Sequence, residues 1–376
     1  MSINKAHSLI WDAIYHYMPY KRPDGTYEHG LDDVYIVAIA TCLILLAKEA
    51  VKHSITIPVG TYCRVYKQQQ KSYIWQTWLF ICHTVSMCWG LYLFATEPKP
   101  YYKDFRYFWI GYPHQQKYLT LNMKLYYLVE LAYWVHHLII LQTIVPRRKD
   151  YLLMMSHHVV TIILITASYH MNFTMLGHII LFLFDVSDVF LALSKALKYC
   201  GFVAMVDVCT AVFAVSWLMT RHFGMSVILR SVLFDAPVLI TERKWNPEEG
   251  NFYSWNVYYF FLVLIAALEI MCAWWLYLIL KIAWNMIRGH HADDDRSDDE
   301  DAADNEQDEL EIKDDGEKEM KKLLNHHHSH HDPAKRNRNG AAVEGNGGTR
   351  KRNQEANQNA NNCYHGSNAS SLLYTC

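Results

Sequence analysis

Seven apolar stretches, each long enough to cross a lipid bilayer, constrain the fold of this chain more than any other feature. A spanning helix needs about 20 mostly apolar residues, because the hydrocarbon core offers no water to satisfy backbone polar groups. Such stretches occupy residues 33–52, 73–95, 124–145, 151–171, 174–195, 202–223 and 255–283. Short polar loops separate them, which disfavours a large soluble core. We therefore predict an all-α polytopic membrane protein, with about seven transmembrane helices bundled around a central polar and apolar cavity.

The composition changes abruptly near Gly289, where the apolar region gives way to a polar tail. In residues 293–315, 14 of 23 side chains are Asp or Glu, and runs rich in His, Asn and Gly follow. A segment this polar cannot bury a core. We expect residues 1–30 to form an N-terminal interfacial segment, residues 31–288 the transmembrane domain, and residues 289–376 a disordered acidic and polar tail.

Basic residues in the short loops indicate the orientation in the membrane. The loops after the first, third and fifth spans carry Arg64, Lys67, Arg148, Lys149 and Lys198, among others. Seven spans place these loops on the same side as the C-terminus, and the positive-inside rule assigns that side to the cytosol. The opposite loops also contain lysine and arginine, so the charge difference is small. We expect a cytosolic C-terminus.

Four ionisable side chains interrupt the fourth and fifth spans. A turn near Asn172 would make these spans an antiparallel hairpin, with His157 and His158 lying 15 and 14 residues before it. Asp185 and Asp188 follow Asn172 by 13 and 16 residues. At about 1.5 Å per residue, all four lie about 20–24 Å from the turn. The sequence thus predicts that two histidines and two aspartates meet at one depth, nearer the cytosolic end of the hairpin.

Helical spacing extends these positions into polar stripes. Asp185 and Asp188 share a face of the fifth span, while His157, Thr161 and Ser168 share a face of the fourth. A charged group at the centre of a helix costs about 2.5–3.5 kcal/mol to insert, so such groups should face the bundle interior or a wet cavity. Further ionisable residues in the spans are Glu130, His136, His137, His178, Asp207 and Glu269. For His178, Asp207 and Glu269 we favour hydrogen bonding between helices over direct chemistry.

The histidine and aspartate set is suited to acyl transfer. A carboxylate that accepts a hydrogen bond from one imidazole nitrogen fixes the tautomer and makes the other nitrogen more basic. That second nitrogen can accept a proton from an incoming nucleophile, or it can attack a carbonyl and form an acyl-imidazole. No serine or cysteine lies beside the histidines in a nucleophile-elbow motif, and the sequence does not distinguish the two routes.

Two other functional classes would also place ionisable residues in a membrane. Membrane oxygenases need about eight or more histidines in spaced boxes, whereas the one H-x-x-H-H motif, residues 327–331, lies in the polar tail. A proton-coupled transporter should distribute its acids and histidines along a path across the membrane, not at one level. Nine scattered cysteines form no C-x-x-C pair. We therefore expect no metal and no disulfide framework.

The segment HHVVTIILITASYHMNFTMLGHIILFLFDVSDVFLALSKALKY, residues 157–199, resembles the longevity-assurance motif of ceramide synthases, the TLC-domain N-acyltransferases of sphingoid bases. The similarity covers about residues 30–310. It includes the paired histidines, the D-x-S-D of residues 185–188 and the flanking residues 148–150. Further matching residues are Trp109, Gly111, Tyr112, Pro113, Thr161, Ser168, Tyr169, Asn172, Gly177, Ser194 and Lys195.

Two positions depart from the pattern common in animal members of the family. Phe184 stands where many have a histidine before the first aspartate, and Thr174 or Met175 occupies the region where many have an arginine. Both departures resemble fungal members. The homeobox-like insertion of many animal members is absent between the first two predicted spans. The resemblance to the acyltransferase core is unaffected.

The resemblance implies a multi-pass endoplasmic-reticulum enzyme that transfers a fatty acyl group from acyl-CoA to a sphingoid base, giving (dihydro)ceramide. Acyl-CoA is a co-substrate, with no further cofactor. Expected partners are the bilayer and a small membrane-anchored accessory subunit or a second synthase chain, but no nucleic acid. The alternative is a non-catalytic TLC-type protein that binds or senses lipids or assists translocation. The implied catalytic residues are His157, His158, Asp185 and Asp188, and the implied substrate-binding residues are Lys195, Thr161, Ser168, Tyr169, Asn172 and Ser187.

Overall fold

The computed structural model of the protein describes residue 14, residues 16–143 and residues 150–288. Within these ranges the chain forms seven long helices and no strand, which confirms the predicted all-α class. Outside the described residues lie residues 1–13 and 15 of the predicted interfacial segment, the basic residues Arg147, Arg148 and Lys149, and the whole tail from residue 289. The helices are α1 (Asp33–Tyr62), α2 (Lys67–Thr96), α3 (Leu121–Thr143), α4 (Tyr151–His170), α5 (Thr174–Tyr199), α6 (Val203–Leu239) and α7 (Trp255–Ile287).

Six of these helices, all except α3, are long and apolar enough to cross a membrane, which confirms a multi-pass membrane protein. α3 is less apolar because Lys124, Glu130, two histidines and several tyrosines interrupt it. These polar positions face protein, since Lys124, Glu130 and His136 are all buried. α3 contacts α1, α2, α4 and α5, so it needs less apolar surface than a helix that faces lipid.

The helices form a ring around a central space. α2, α3, α4, α7, α6 and α5 follow one another around this ring, each in contact with the next, and α5 closes it against α2. α1 packs on the outside, mainly against α3. Burial agrees with this arrangement, because half of the most apolar part of α5 is buried but only 11% of that of α1. α5, which carries both predicted aspartates, is therefore the element best placed to line the interior.

Two helices extend by ten or more residues beyond their predicted ends. The first was expected over residues 33–52 and the sixth over residues 202–223, but α1 reaches Tyr62 and α6 reaches Leu239. α6 contains two π-helical stretches, Leu218–Gly224 and Ser231–Asp235. Arg221, near the predicted end of the sixth span, points inward and is buried, and the helix continues beyond it.

The α4–α5 hairpin has the predicted turn, and three loops hold it in place. Asn172 adopts a left-handed conformation at φ 64°, and its amide donates a hydrogen bond of 3.0 Å to the carbonyl oxygen of Gly250. The hydroxyl of Tyr112, from the loop between α2 and α3, donates to the carbonyl oxygen of Met171 at 3.0 Å. The N-terminal segment reaches this side of the bundle through Tyr27, whose backbone pairs with that of Leu119.

Candidate functional site

A polar cavity lies inside the helix ring, about 1110 Å³ in volume including its open mouth. Helices α2 to α7 all contribute to its wall. Tryptophans from α2, α3, α6 and α7 form much of the apolar part. The ionisable residues of the wall are His83, His137, Asp150, His157, His158, Asp188, Lys195 and Arg221. Four of them were among the residues that the sequence singled out as candidate site residues.

His157 and His158 lie in the first half of α4, and both are buried in the cavity wall. The ring of Trp134 from α3 contacts both, with its centroid 5.4 Å from each imidazole centroid. His158 Nδ1 lies 2.7 Å from the carbonyl oxygen of Met154. Because a carbonyl oxygen only accepts hydrogen bonds, this nitrogen must carry the proton, which leaves Nε2 with a free lone pair. Nothing in the described part of the chain hydrogen-bonds that Nε2.

The aspartates reach the same region, but they do not pair with His157 or His158 as the acyl-transfer hypothesis supposed. Asp185 Oδ1 lies 2.8 Å from His83 Nδ1, and Asp188 Oδ1 accepts a hydrogen bond of 2.5 Å from Arg221. The partners come from α2 and α6, on either side of α5. His157, His158 and Asp188 line the polar cavity, whereas Asp185 lines the adjoining apolar one. The hydrogen-bond partners of both aspartates come from neighbouring helices that the hairpin argument did not include.

Arg221 connects the second aspartate to the backbone of α5. Its Nε donates to Ser187 Oγ at 2.9 Å and its Nη2 donates to the carbonyl oxygen of Phe184 at 3.2 Å. The guanidinium also lies 4.2 Å from the ring centroids of both Phe184 and Trp217. These contacts compensate the buried charge and fix the carboxylate of Asp188 at the cavity wall.

An apolar cavity of about 670 Å³ adjoins the polar one, and the two share Trp134 and Asp188 in their walls. Thr161, Ser168, Asp185 and Asp188 are its polar wall residues, and most others are aliphatic or aromatic. A further apolar cavity, about 370 Å³, shares Leu176, Phe261 and Ile265 with it. The three cavities thus form a row that runs from the histidine pair to the aromatic residues Trp109 and Tyr253.

The remaining predicted site residues lie in different places. Lys195 lines the polar cavity, and Thr161 and Ser168 line the adjoining apolar cavity. Tyr169, Asn172 and Ser187 line neither of these two cavities. Tyr169 donates a hydrogen bond of 2.8 Å to Asp33, Asn172 binds the Gly250 carbonyl oxygen, and Ser187 binds Arg221.

The structure also adds residues that the sequence analysis missed. His83, Ser86 and Trp75 of α2, Tyr133 and Trp134 of α3, and Arg221 of α6 surround the candidate set. His83 and Arg221 carried the same signal as the named residues, an ionisable group inside an apolar span. Of the residues expected to bond between helices, Glu269 of α7 pairs with His222 of α6 at 2.5 Å, as predicted. His178 instead bonds Tyr101 of a loop at 2.7 Å.

Within the described ranges, no three His, Cys, Asp or Glu side chains are grouped so that they could hold a metal ion. The free cysteines of these ranges are dispersed over α1, α2, α5, α6 and α7 and their ends. The polar groups in the wall of the polar cavity include imidazole, carboxylate, hydroxyl, guanidinium and ammonium groups.

Comparison with known proteins matches the helices that enclose the cavities. The TLC domain family matches residues 74–281, which include most of α2 and α7 and everything between them. The sphingosine N-acyltransferase lag1 of Schizosaccharomyces pombe is 30% identical over 286 residues, covering 74% of this chain and 70% of that protein. The ceramide synthase LAG1 of Saccharomyces cerevisiae is 31% identical over 284 residues, covering 70% and 64%.

A plant protein is also similar over part of the chain. The ceramide synthase LOH2 of Arabidopsis thaliana is 36% identical over 182 residues, covering 48% of this chain and 58% of that protein. The family match begins after α1, which is also the helix outside the ring. The family match thus spans the helices of the cavity-forming ring, and the chain belongs to the TLC-domain family, among its longevity-assurance members.

Proposed function

We propose that the protein is a ceramide synthase, which transfers a fatty acyl group from acyl-CoA to the amine of a sphingoid long-chain base. The products are ceramide or dihydroceramide and free CoA. One observation carries this proposal: the polar cavity whose wall contains the histidine pair adjoins a row of apolar cavities. A thioester has the matching shape, with a polar head, a reactive carbonyl and a long apolar chain. The names of the yeast relatives support the same activity.

The carbonyl of the thioester should lie where the two cavities meet, near Trp134 and the histidines. The acyl chain then extends along the apolar cavities, and the CoA phosphates face the mouth, where Lys195 is their candidate ligand. Thr161 Oγ1 is buried without a hydrogen-bond partner among the described residues. Because an unsatisfied buried hydroxyl is unfavourable, it is a suitable donor or acceptor for a substrate oxygen. Ser168 adds a second hydroxyl deeper in the apolar cavity.

His158 is oriented for chemistry, since its Nε2 bears the free lone pair. This nitrogen either accepts a proton from the attacking amine or attacks the thioester carbon and forms an acyl-imidazole. Both routes end with an amide bond formed and the carbon–sulfur bond broken. His157, on the adjacent position of α4, is the second histidine of the proposed site. Asp188, held by Arg221, supplies a negative charge to a positively charged imidazole nearby.

Asp185 acts on the site through His83, to which it is hydrogen-bonded. For Tyr169, Asn172 and Ser187, the hydrogen bonds to other protein groups favour a role in holding the helices and the hairpin turn. We further propose that the enzyme resides in the endoplasmic-reticulum membrane with its C-terminus in the cytosol. Its proposed partners are a small membrane-anchored accessory subunit or a second synthase chain.

The test is an assay of the purified full-length protein in lipid nanodiscs. The protein is incubated with sphinganine and acyl-CoA species from C16 to C26, and both ceramide and released CoA are measured. The variants His157→Ala and His158→Ala should lose at least about 10²-fold in turnover, the typical contribution of an acid–base or nucleophilic side chain. His136→Ala is the matched control, because His136 is buried one helix away and does not line the polar cavity.

Each outcome has a distinct meaning. Ceramide and CoA formed in equal amounts by the wild type, and lost in both histidine variants, would support the proposal. Undiminished turnover in those variants would falsify the catalytic assignment. Lipid binding without CoA release would indicate instead a TLC-type protein that binds or senses lipids, and uptake into vesicles without thioester consumption would indicate a transporter.

A further inference from the structure

His83 also lines the polar cavity, and its imidazole is hydrogen-bonded to a carboxylate. Its Nδ1 lies 2.8 Å from Asp185 Oδ1, and its Nε2 lies 3.3 Å from the hydroxyl of Tyr133. His83 and Asp185 are both buried, and His83 shares the cavity wall with His157 and His158. Neither of those two histidines bonds a carboxylate in the described part of the chain. The Asp–His arrangement that acyl transfer requires is therefore present, but it is built on α2 and α5.

Ser86 lies one helical turn after His83. Its contacts limit where the protons lie in the cluster formed by His83, Asp185, Ser86 and Glu130. Its hydroxyl oxygen is hydrogen-bonded to a carboxylate oxygen of Asp185 and also to one of Glu130, from α3. A serine hydroxyl has a single hydrogen and can donate to one acceptor only. Of the two carboxyl groups, the one that does not accept the Ser86 hydrogen must therefore carry a proton and donate it to the Ser86 oxygen.

Proton assignments that satisfy all four contacts with a neutral His83 include one that keeps Asp185 ionised. Glu130 is protonated and donates to Ser86, Ser86 donates to Asp185, and the Nδ1–H of His83 donates to the other oxygen of Asp185. His83 Nε2 then has the lone pair and accepts from the Tyr133 hydroxyl. In a second assignment Asp185 carries the proton and donates to Ser86, and Ser86 donates to an ionised Glu130. The first assignment places the ionised carboxylate against the Nδ1–H of His83, and a hydrogen bond to a charged acceptor is stronger than one between neutral groups. In that assignment the cluster presents a neutral imidazole with a basic nitrogen and an ionised aspartate behind it.

We propose that His83 is the proton acceptor for the amine of the long-chain base, and that Asp185, Ser86 and Glu130 are positioning residues that fix its tautomer. This inference rests on the proposed function and divides the work between the histidines. The substrate amine is an ammonium ion near neutral pH and has no lone pair for attack. His83 Nε2 takes one proton from it, after which the nitrogen attacks the acyl carbon held at His157 or His158.

The protons and bonds balance in this scheme. The new carbon–nitrogen bond forms as the acyl carbon loses CoA or, in the acyl-imidazole route, the imidazole nitrogen. The second amine proton leaves with the departing sulfur or nitrogen. The proton on His83 passes to water at the cavity mouth, so one ammonium and one thioester give one amide, one thiol and one released proton. The imidazolium that His83 becomes is paired with Asp185 throughout.

Several charged or titratable groups surround His83 and influence its protonation. They are Glu130, Tyr133 and His137 from α3, His157 and His158 from α4, Asp185 and Asp188 from α5, and Arg221 from α6. Because this environment holds acids as well as Arg221, the pH dependence of activity is the discriminating measurement, and not the size of the activity loss alone.

The test compares pH profiles of ceramide formation between about pH 6.5 and 9.5 for the wild type and His83→Gln. At pH 7 the variant should be slower by about 10²–10⁴-fold. Its rate should then rise about tenfold per pH unit, because an amine with a pKa of roughly 9–10 supplies tenfold more neutral nucleophile per unit by itself. The wild-type rate should depend on pH less steeply. Asp185→Asn, which keeps the side-chain shape, should show the same steep profile.

Two comparisons separate this role from a structural one. Glu130→Gln can still donate to Ser86, so it should retain at least ten times the activity of Glu130→Ala. His178→Gln, another buried histidine that lines none of the three cavities, should leave the shape of the pH profile unchanged. The proposal is wrong if His83→Gln and Asp185→Asn run parallel to the wild type at every pH. If the wild type itself makes no ceramide, the proposed function fails instead.

Discussion

Replacing Lys124 by methionine tests how the end of the bundle at the hairpin turn is held together. The side chain of Lys124 is fully buried, and its ammonium lies 2.8 Å from Asp33 Oδ1 as an ion pair. It also donates hydrogen bonds to the carbonyl oxygens of Pro19 and Glu28, at 3.0 and 2.7 Å. A single lysine on α3 thus holds the start of α1 and the N-terminal segment.

The expected loss follows from what methionine leaves behind. Removing one partner of a buried ion pair typically costs about 3–5 kcal/mol, because the remaining charge is uncompensated. Asp33 keeps hydrogen bonds from the Tyr169 hydroxyl at 2.8 Å and the Gly30 amide at 2.9 Å. These hydrogen bonds partly stabilise the remaining charge, so we expect the free energy of unfolding to fall by the lower value, about 3 kcal/mol. At about 2–4 °C per kcal/mol, the scale for a domain of about 150–250 residues, the unfolding midpoint of this larger protein should fall by up to about 6–12 °C.

The assay is thermal unfolding of purified protein in one detergent, followed by intrinsic tryptophan fluorescence. Lys52→Met is the matched control, because Lys52 forms an ion pair of 2.9 Å with Glu49 while both side chains are exposed by a third or more. Exposed pairs contribute about 0–1 kcal/mol, so this midpoint should fall by no more than a few degrees. Equal shifts for the two variants would refute the reasoning that burial makes the Lys124 pair important.

Three further predictions concern pH, packing and chain length. Burial, and secondarily His170, lowers the pKa of His29 from 6.5 to about 4. Between these pH values the unfolded chain binds a proton that the folded protein does not, so the free energy of unfolding should fall by up to about 1 kcal/mol per pH unit as the pH is lowered. His29→Gln should flatten that part of a stability–pH curve. In Gly177→Ala, the new Cβ would lie 1.9 Å from the Tyr127 hydroxyl oxygen. The resulting overpacking should cost about 1–3 kcal/mol, seen in the thermal midpoint, and an unchanged midpoint would contradict it. Phe261 lies in the wall shared by two apolar cavities, so Phe261→Trp should shift ceramide products toward shorter acyl chains in competition assays, and an unaltered product distribution would count against the proposed chain path.

The sequence predicted the secondary structure well because the signals were local. Apolar length identified the helices, and counting residues from Asn172 singled out the histidine pair and Asp188, which line one cavity. The largest errors were the ends of the first and sixth spans. α1 continues to Tyr62, and α6, whose Arg221 is buried, continues to Leu239.

The pairing inside the site could not be predicted from the hairpin. Which carboxylate faces which imidazole depends on the rotation of each helix and on the order of helices around the ring. α2 and α6 lie beside α5, so His83 and Arg221 reach the aspartates before the histidines of α4 do. The spacing of residues within a single span specifies neither the rotation of its helix nor the order of the helices around the ring. A search for every ionisable residue in an apolar span would have named both residues but not their partners.

The most direct test of the account is a structure of the protein with a non-reactive thioether analogue of a long-chain acyl-CoA. We predict that the carbon replacing the thioester carbonyl lies about 3–3.5 Å from a ring nitrogen of His157 or His158, the distance of a reactive complex. The acyl chain should extend past Leu176 and Phe261, and the CoA phosphates should lie at the mouth near Lys195. An acyl chain bound on the lipid-facing surface, or a reactive carbon far from both histidines, would contradict the account.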